Sequence, residues 1–206
     1  MSEISVLIVD DHSILRMGLA SLLSSKSGIR VAGDASSGPT GIRKALKLRP
    51  DVIIMDLAMP GMDGAEATAE LVARIPGANV LVLTTFGTSD GISRALDAGA
   101  KGAVMKNCDF GELVGAIRKV AAGGRYVSPE VDRLISADPP AAELSPRQRE
   151  ILQSIVRGLS NPEIARQLGI SVDVVKEHTE SMFQKIGAAN RAEAVAIAFR
   201  KHLVDQ

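Results

Sequence analysis

Hydrophobic positions along the first 122 residues alternate between two rhythms. Short, nearly unbroken apolar runs occupy 4–9, 52–55, 80–83 and 102–105, and a weaker one at 30–33 suits a further short strand. Between them, apolar residues recur at helical spacing: Ile14, Leu15, Leu19, Leu22 and Leu23 within 13–23, then segments 40–48, 65–75, 89–98 and 110–122. Gly99 and the pair Gly123-Gly124 close the last two segments. Runs that do not alternate polar with apolar suit strands buried on both faces. Strand and helix in regular succession, joined by short turns, imply a parallel sheet with helices on both faces. The expected fold is therefore α/β, a five-stranded doubly wound parallel sheet over 1–124.

Turn and linker signals follow: Gly123-Gly124, Ser128-Pro129 and Asp138-Pro139-Pro140-Ala141-Ala142. A linker is expected over 125–143, holding a short helix near 131–135 and flexible over 136–143. The period then changes. Ser145-Pro146-Arg147-Gln148 reads as a capping box with Pro at the first helical position. Ile151, Leu152, Ile155 and Val156 give that helix its apolar face. A second helix starts at Asn161-Pro162-Glu163 and breaks at Gly169. A third is capped by Ser171 and runs to about Ile186. A fourth opens with the capping box Asn190-Arg191-Ala192-Glu193. Four helices over 144–206, two of them joined by the tight Gly169-Ile170-Ser171 turn, predict a small all-α helix-turn-helix domain.

Composition narrows the function classes. The 206 residues carry 24 basic and 24 acidic side chains. Counting along the chain, 1–140 hold 15 basic and 16 acidic residues and 141–206 hold 9 and 8, so neither part has the excess that by itself marks a nucleic-acid partner. The single cysteine, Cys108, excludes an internal disulfide and suits a reducing compartment. No signal peptide and no apolar run of membrane-spanning length is seen, so the expected address is cytoplasmic with no membrane contact. With no Trp and one Tyr, aromatic stacking on bases is not expected to dominate any activity.

Candidate chemistry collects at strand ends. The carboxyl ends of strands one, three, four and five carry Asp10 and Asp11, Asp56, Thr84 with Thr85, and Lys106. In a parallel sheet these ends share one edge, where open α/β sheets bind ligands. Three carboxylates together repel unless a cation neutralises them, and oxygen donors without thiolates favour Mg²⁺. A hydroxyl and an ammonium beside them suit a bound anion. The set points to phosphoryl transfer, with Asp56 as acceptor because it ends the central strand alone. Taken singly the residues are less telling. An Asp at a strand end is commonly a turn or cap residue, Thr84 an ordinary strand residue, Lys106 a solvated charge and His12 a helix-start surface residue.

With these motifs in view, residues 1 to about 124 resemble the receiver domain of two-component response regulators. The marks are Asp10-Asp11, Asp56-Leu57-Ala58-Met59-Pro60-Gly61-Met62-Asp63-Gly64, Thr84 and Lys106. Residues 144–206 resemble the LuxR-type helix-turn-helix, through Leu144-Ser145-Pro146-Arg147-Gln148-Arg149-Glu150-Ile151-Leu152, Gly158 to Ala165, and Val174-Val175-Lys176-Glu177-His178. Together they resemble the NarL/FixJ class over nearly the whole chain. The resemblance implies phosphoryl transfer to Asp56 from a sensor histidine kinase. It implies Mg²⁺ held by Asp11, Asp56 and the Ala58 carbonyl with Asp10 in support, and phosphoryl oxygens met by Thr84, Lys106 and Ala58. It also implies relief of receiver–effector contacts on phosphorylation, and a homodimer on double-stranded DNA. One position departs from the pattern: where many receivers carry an aromatic switch on the fifth strand, this chain has Ala103. Ala58 and Phe86 stand where relatives influence phosphoryl lifetime. Neither side chain can orient an attacking water, which predicts slow self-hydrolysis.

On the third helix of the second domain, Val175, Met182 and Ile186 define a buried side. Lys176, Glu180 and Gln184 form an exposed stripe with Glu177, Ser181 and Lys185 beside it, the expected DNA-reading surface. Glu177 and Glu180 raise the electrostatic cost near phosphates, although a Glu can accept from cytosine N4. His178 is expected partly against the module's own core. Arg147, Arg149, Arg166, Lys185 and Arg191 are candidate phosphate contacts. Ala192, Val195 and Ala196 on the fourth helix are the expected dimer face. Two rivals stand beside this phosphorylation-controlled transcriptional regulator. One is an atypical regulator controlled by protein or ligand contacts, with Asp56 weakly coupled to DNA binding. The other is an Asp-nucleophile phosphohydrolase. The second is disfavoured because such enzymes place an acid/base Asp two residues after the nucleophile, where this chain has Ala58. The only chemistry expected is therefore the chain's own phosphorylation and slow dephosphorylation.

Overall fold

The structure, a computed structural model, describes residues 3–85, 89–137, 144–201 and 203–204. The chain divides into two compact units, Met1–Asp138 and Pro139–Gln206. Among the described residues no helix is long and apolar enough to cross a membrane.

In the first unit the order is β1 (Ile4–Val9), α1 (Ser13–Ser24), β2 (Ile29–Ala35), α2 (Gly38–Leu48), β3 (Val52–Asp56), α3 (Gly64–Arg74), β4 (Val80–Thr84), α4 (Ser89–Asp97), β5 (Gly102–Met105), α5 (Phe110–Ala121), β6 (Tyr126–Val127) and α6 (Pro129–Ala137). The sheet runs β2-β1-β3-β4-β5-β6, every neighbouring pair parallel. Successive side chains on a strand point to opposite faces. Leu7, Val9, Ile53, Met55, Val80, Val82, Ala103 and Met105 therefore join one core, completed by residues of α2, α3, α4 and α6. Val6, Ile8, Val52, Ile54, Leu81, Leu83 and Val104 join the other, completed by α1 and α5.

The alternation of strand and helix matches the sequence pattern, with three differences. β2 extends from 29 to 35, past the expected 30–33, because the ladder to β1 continues through a register shift at Val6/Leu7 and carries the exposed Asp34 in its edge strand. α2 starts at Gly38 with Pro39 in its first turn rather than at Thr40. The segment expected as a linker, 125–143, begins with a sixth strand and a helix of nine residues. Two residues of strand are too short for any periodicity to reveal. The helix is longer than 131–135 because Ser128 starts it, accepting at its carbonyl from Asp132 N–H (2.9 Å) and at its Oγ from Val131 N–H (3.3 Å). Ser136 and Ala137, expected as flexible, lie in α6. The rest of that stretch, 138–143, lies outside the described residues, as does Phe86.

One glycine decides how the loop after Asp56 folds. A Cβ on Gly64 would stand 2.1 Å from the Asp56 carbonyl oxygen. The first residue of α3 can press against the end of β3 only as glycine. Asp63 caps the same helix in a reciprocal box: Glu66 N–H donates to Asp63 Oδ1 at 2.8 Å and Asp63 N–H to Glu66 Oε2 at 3.0 Å.

The second unit holds α7 (Pro146–Val156), α8 (Asn161–Leu168), α9 (Val172–Ile186) and α10 (Arg191–Arg200). Its core comprises Leu144, Ile151, Leu152, Ile155, Ile164, Ala165, Val175, Met182, Ile186, Ala194, Ile197 and Ala198. α8 ends at Gly169, Ile170 N–H returns to Ala165 O at 3.0 Å, and Ser171 accepts from Val174 N–H at 3.3 Å to start α9. That tight joint between two packed helices is a helix-turn-helix.

Candidate functional site

β1 and β3 lie side by side, so Asp10 and Asp56 reach the same sheet edge, and β5 delivers Lys106 one strand beyond Thr84. The Lys106 ammonium bridges the two carboxylates, 2.8 Å from Asp10 Oδ2 and 2.7 Å from Asp56 Oδ2. Both carboxylates are 1% exposed and the lysine side chain 11%. Asp10 is fixed further by His12 N–H, which donates to its Oδ1 at 2.7 Å, and by Arg16, which donates to its backbone carbonyl at 2.6 Å. Arg16 is itself held by Asp34 at 3.0 Å. Ala58 N–H points at Asp56 Oδ1 from 3.3 Å. Thr84 is buried, and its hydroxyl donates to the Thr85 carbonyl at 3.0 Å rather than to the carboxylates.

The charges shift one another. Burial pushes the Asp56 carboxyl above its ordinary range, with the Asp10 charge adding to the rise and Lys106 opposing it. Burial pulls the Lys106 ammonium down, but hydrogen bonds and charge from Asp10 and Asp56 outweigh it and leave the lysine raised.

Asp10, Asp11, His12 and Asp56 present ligand atoms within 4.8 Å of one another. Such an Asp/Asp/His/Asp cluster is the arrangement of a receiver-type metal site. Three carboxylates against one ammonium leave uncompensated negative charge, and a hard divalent cation bound by carboxylate and water oxygens fits that deficit. The sequence predicts His12 as a helix-start surface residue. Its ring is exposed, yet Nδ1 lies 2.9 Å from Asp11 Oδ1 and 3.2 Å from Asp10 Oδ1. Ala103 is fully buried on the face of the sheet beneath α4 and α6.

In the second unit the expected buried side of α9 is present in Val175, Met182 and Ile186, and Thr179 joins it by donating to Val175 O at 2.7 Å. Lys176, Glu177, Glu180 and Gln184 are exposed and His178 is half-buried. Lys176 pairs with Asp173 at 3.2 Å, one turn before it, rather than with Glu180. Ser181 and Lys185 lie toward α7. Gln148, buried at the start of that helix, donates through Nε2 to Ser181 Oγ at 3.3 Å and accepts from Lys185 Nζ at 3.1 Å. Sequence reasoning saw Gln148 only as a cap, because nothing local reveals a contact 33 or 37 residues away. Besides Lys185, two of the suggested phosphate contacts have protein acceptors. Arg191 donates to the Leu159 carbonyl and Asn161 Oδ1, and Arg147 to Glu150 and the Leu168 carbonyl. Arg149 and Arg166 are exposed. On α10, Ala192 and Ala196 are exposed, Val195 is half-buried, and Phe199, not anticipated, extends the same stripe while 48% exposed.

Comparisons with known proteins agree with this geometry. Residues 6–118 match the response regulator receiver domain family, and residues 142–198 match the luxR family of bacterial regulatory proteins. Response regulator protein VraR of Staphylococcus aureus is 38% identical over 206 residues, covering 98% of this chain and 99% of VraR. Among solved structures, the response regulator ChrA of a heme-sensing two-component system is 36% identical with a TM-score of 0.59, over 99% of this chain and 100% of that one. RcsB from Salmonella enterica serovar Typhimurium, bound to a promoter in the presence of the phosphomimetic BeF3-, is 27% identical with a TM-score of 0.73, over 98% and 100%.

Proposed function

This chain belongs to the response regulators that join a receiver domain to a LuxR-type helix-turn-helix, and from that premise we propose how its residues divide the work of phosphorylation-controlled transcription. Asp56 is the phosphoacceptor. The observation that carries this reading is the buried Lys106 bridge between Asp10 and Asp56 at the sheet edge.

The donor is the phosphohistidine of a sensor histidine kinase. An Asp56 carboxylate oxygen attacks phosphorus, the P–N bond breaks, and the electron pair leaves with the imidazole, which takes up a proton from solvent. Asp11, Asp56 and the Ala58 carbonyl would hold Mg²⁺, with Asp10 in support, and the ion when bound would supply charge neutralisation for phosphoryl transfer. Lys106, already 2.7 Å from Asp56, shifts from carboxylate to phosphoryl oxygen as the new bond forms. Thr84 turns from the Thr85 carbonyl to donate to another phosphoryl oxygen, and Ala58 N–H meets a third. No side chain at Ala58 orients a hydrolytic water, so the acyl phosphate is long-lived. The chemistry of the chain is confined to its own phosphorylation and dephosphorylation.

The receiver spans 1–124 with its sheet extended by the β6–α6 segment of the linker region, and the effector spans 144–206. α9 enters the major groove of double-stranded DNA, with Lys176, Glu177, Glu180, Ser181, Gln184 and Lys185 at or near the contact and Gln148 steadying the last of these. α10 supplies the homodimer face through Ala192, Val195 and Ala196. The RcsB structure bound to a promoter supports the DNA partner, and a chain that reads DNA works in the cytoplasm. The test is Asp56→Asn beside the natural chain, each treated with a small phosphodonor and Mg²⁺ and read by intact mass. The natural chain gains one phosphoryl group and the variant none. Equal incorporation in both refutes the assignment.

A further inference from the structure

His12 stands where a helix normally recruits a capping oxygen. It is the N-cap of α1, with an extended backbone, and its side chain makes no capping hydrogen bond. Ser, Thr, Asp and Asn are favoured there because a short side-chain oxygen reaches the first free N–H groups. A basic ring also gains nothing from the positive end of a helix. The ring turns back instead over the acidic edge. Nδ1 lies 2.9 Å from Asp11 Oδ1 and 3.2 Å from Asp10 Oδ1, and His12 N–H donates to that same Asp10 oxygen at 2.7 Å. An imidazole nitrogen thus joins the carboxylates of Asp10, Asp11 and Asp56, every ligand atom within 4.8 Å of the others.

The carboxylate oxygens are unequally served. Lys106 pairs with Asp10 Oδ2 and Asp56 Oδ2. Asp11 Oδ1 is buried and accepts no hydrogen bond from the described residues. The His12 ring is close enough to touch it, yet the hydrogen-bonding geometry of Nδ1 is toward Asp10. A buried carboxylate oxygen without a donor calls for an explanation, and a cation that the structure does not contain is one. The charge balance of this edge, three carboxylates against one ammonium, points the same way.

Carboxylate, carbonyl and water oxygens suit Mg²⁺, whereas an imidazole nitrogen suits the borderline ions of the first transition row. We propose that His12 is itself a ligand of this metal site, through Nδ1, and tilts the site toward a borderline divalent ion of the class of Co²⁺, Ni²⁺ or Zn²⁺, beyond what its oxygens alone select. The ion satisfies Asp11 Oδ1 and uses the lone pair of the ring nitrogen beside it. Loading of the site then depends on which divalent ions are present as well as on how much Mg²⁺ there is. This inference rests on the reading of the Asp10, Asp11 and Asp56 edge as a divalent-ion site. The competing role is that of a donor that only orients Asp11, and such a donor supports every divalent ion alike.

The experiment uses the full chain beside His12→Ala and His12→Gln, with Mg²⁺ and Co²⁺ as the two ions. The His12 ring is exposed, so neither change opens the core. Gln can still donate to Asp11 but offers the ion no nitrogen lone pair. Titration calorimetry gives the affinities, and the visible spectrum of bound Co²⁺ reports nitrogen ligation independently. Both variants should bind Co²⁺ about ten-fold more weakly or worse, with its bands shifted, while Mg²⁺ affinity changes by less than about two-fold. Equal losses for the two ions, or an unchanged Co²⁺ affinity and spectrum, overturn the proposal. Asp11→Asn locates the binding and should weaken both ions. If it weakens neither, the metal-site reading fails together with the proposal, whereas loss of both ions in Asp11→Asn without a selective Co²⁺ effect in the His12 variants overturns the proposal alone.

Discussion

Replacing Lys106 by Met keeps most of the aliphatic stem and removes the one ammonium that joins Asp10 to Asp56. At 2.7 and 2.8 Å, each contact has a gross attraction of about 6 kcal/mol at an effective dielectric near 20. Desolvation of the three groups cancels most of that, and truncating one partner of a buried pair costs about 3–5 kcal/mol. The lower end applies here, because Asp56 can take up a proton when the ammonium is gone. We expect Lys106→Met to lose about 3 kcal/mol of unfolding free energy at neutral pH without divalent ions. The pH dependence has a definite sign. Asp56 in the folded chain titrates above the ordinary carboxyl value of 3.8, and further above it once Lys106 is removed. Its penalty is therefore full at pH above the folded value and vanishes as pH falls below 3.8, so the gap between variant and natural chain narrows on acidification. Mg²⁺ should stabilise the variant more than the natural chain, since ammonium and metal neutralise the same carboxylates. Urea denaturation in chelator and in Mg²⁺, repeated across pH, measures all three effects. A variant as stable as the natural chain without metal, or one that Mg²⁺ stabilises no more than it does the natural chain, refutes the electrostatic account of the site.

Gly64→Ala places a methyl group 2.1 Å from the Asp56 carbonyl. It should cost about 3 kcal/mol and slow phosphoryl incorporation, read by thermal unfolding and by mass. Cys108 is pushed up to about 11 from 9.0 by burial, with Glu112 and Asp109 contributing. Its thiolate is then about 100-fold scarcer at neutral pH than that of a free cysteine, and since a more basic thiolate is also more nucleophilic, labelling by a thiol reagent should be slower by about ten-fold or more until urea exposes it. Glu180→Lys exchanges an exposed carboxylate on α9 for an ammonium. DNA binding should tighten, with the salt dependence steeper by about one counterion, measured by titration at several salt concentrations.

The sheet and the edge where Asp10, Asp56 and Lys106 meet were legible in the sequence because their information is local. An unbroken apolar strand that ends on a single Asp places Asp56, and the same logic places Asp10 and Lys106. What escaped is non-local or too short. β6 consists of two residues, and its role appears only when Ala103 is seen across the ladder from Val127. Nothing local marks Asp51, whose carboxylate accepts from both Ser5 N–H and Ser5 Oγ, locking the start of β3 to β1 across 46 residues of sequence. Those hydrogen bonds hold Asp51 below the usual carboxylate range. Gln148 likewise serves a local cap and a distant helix with one amide. Helical periodicity assigned the exposed stripe of α9 correctly to solvent. It could not show that Ser181 and Lys185 are already engaged by α7.

The most direct test of phosphorylation-controlled DNA binding joins two readouts on the same samples. The full chain is mixed with genomic DNA fragments, with and without Mg²⁺ and a small phosphodonor, and selective binding is recorded beside intact mass. The account predicts that selective binding strengthens in step with the fraction of chains carrying one phosphoryl group, and that Asp56→Asn abolishes both changes. Stoichiometric phosphorylation with no change in selective binding would contradict it.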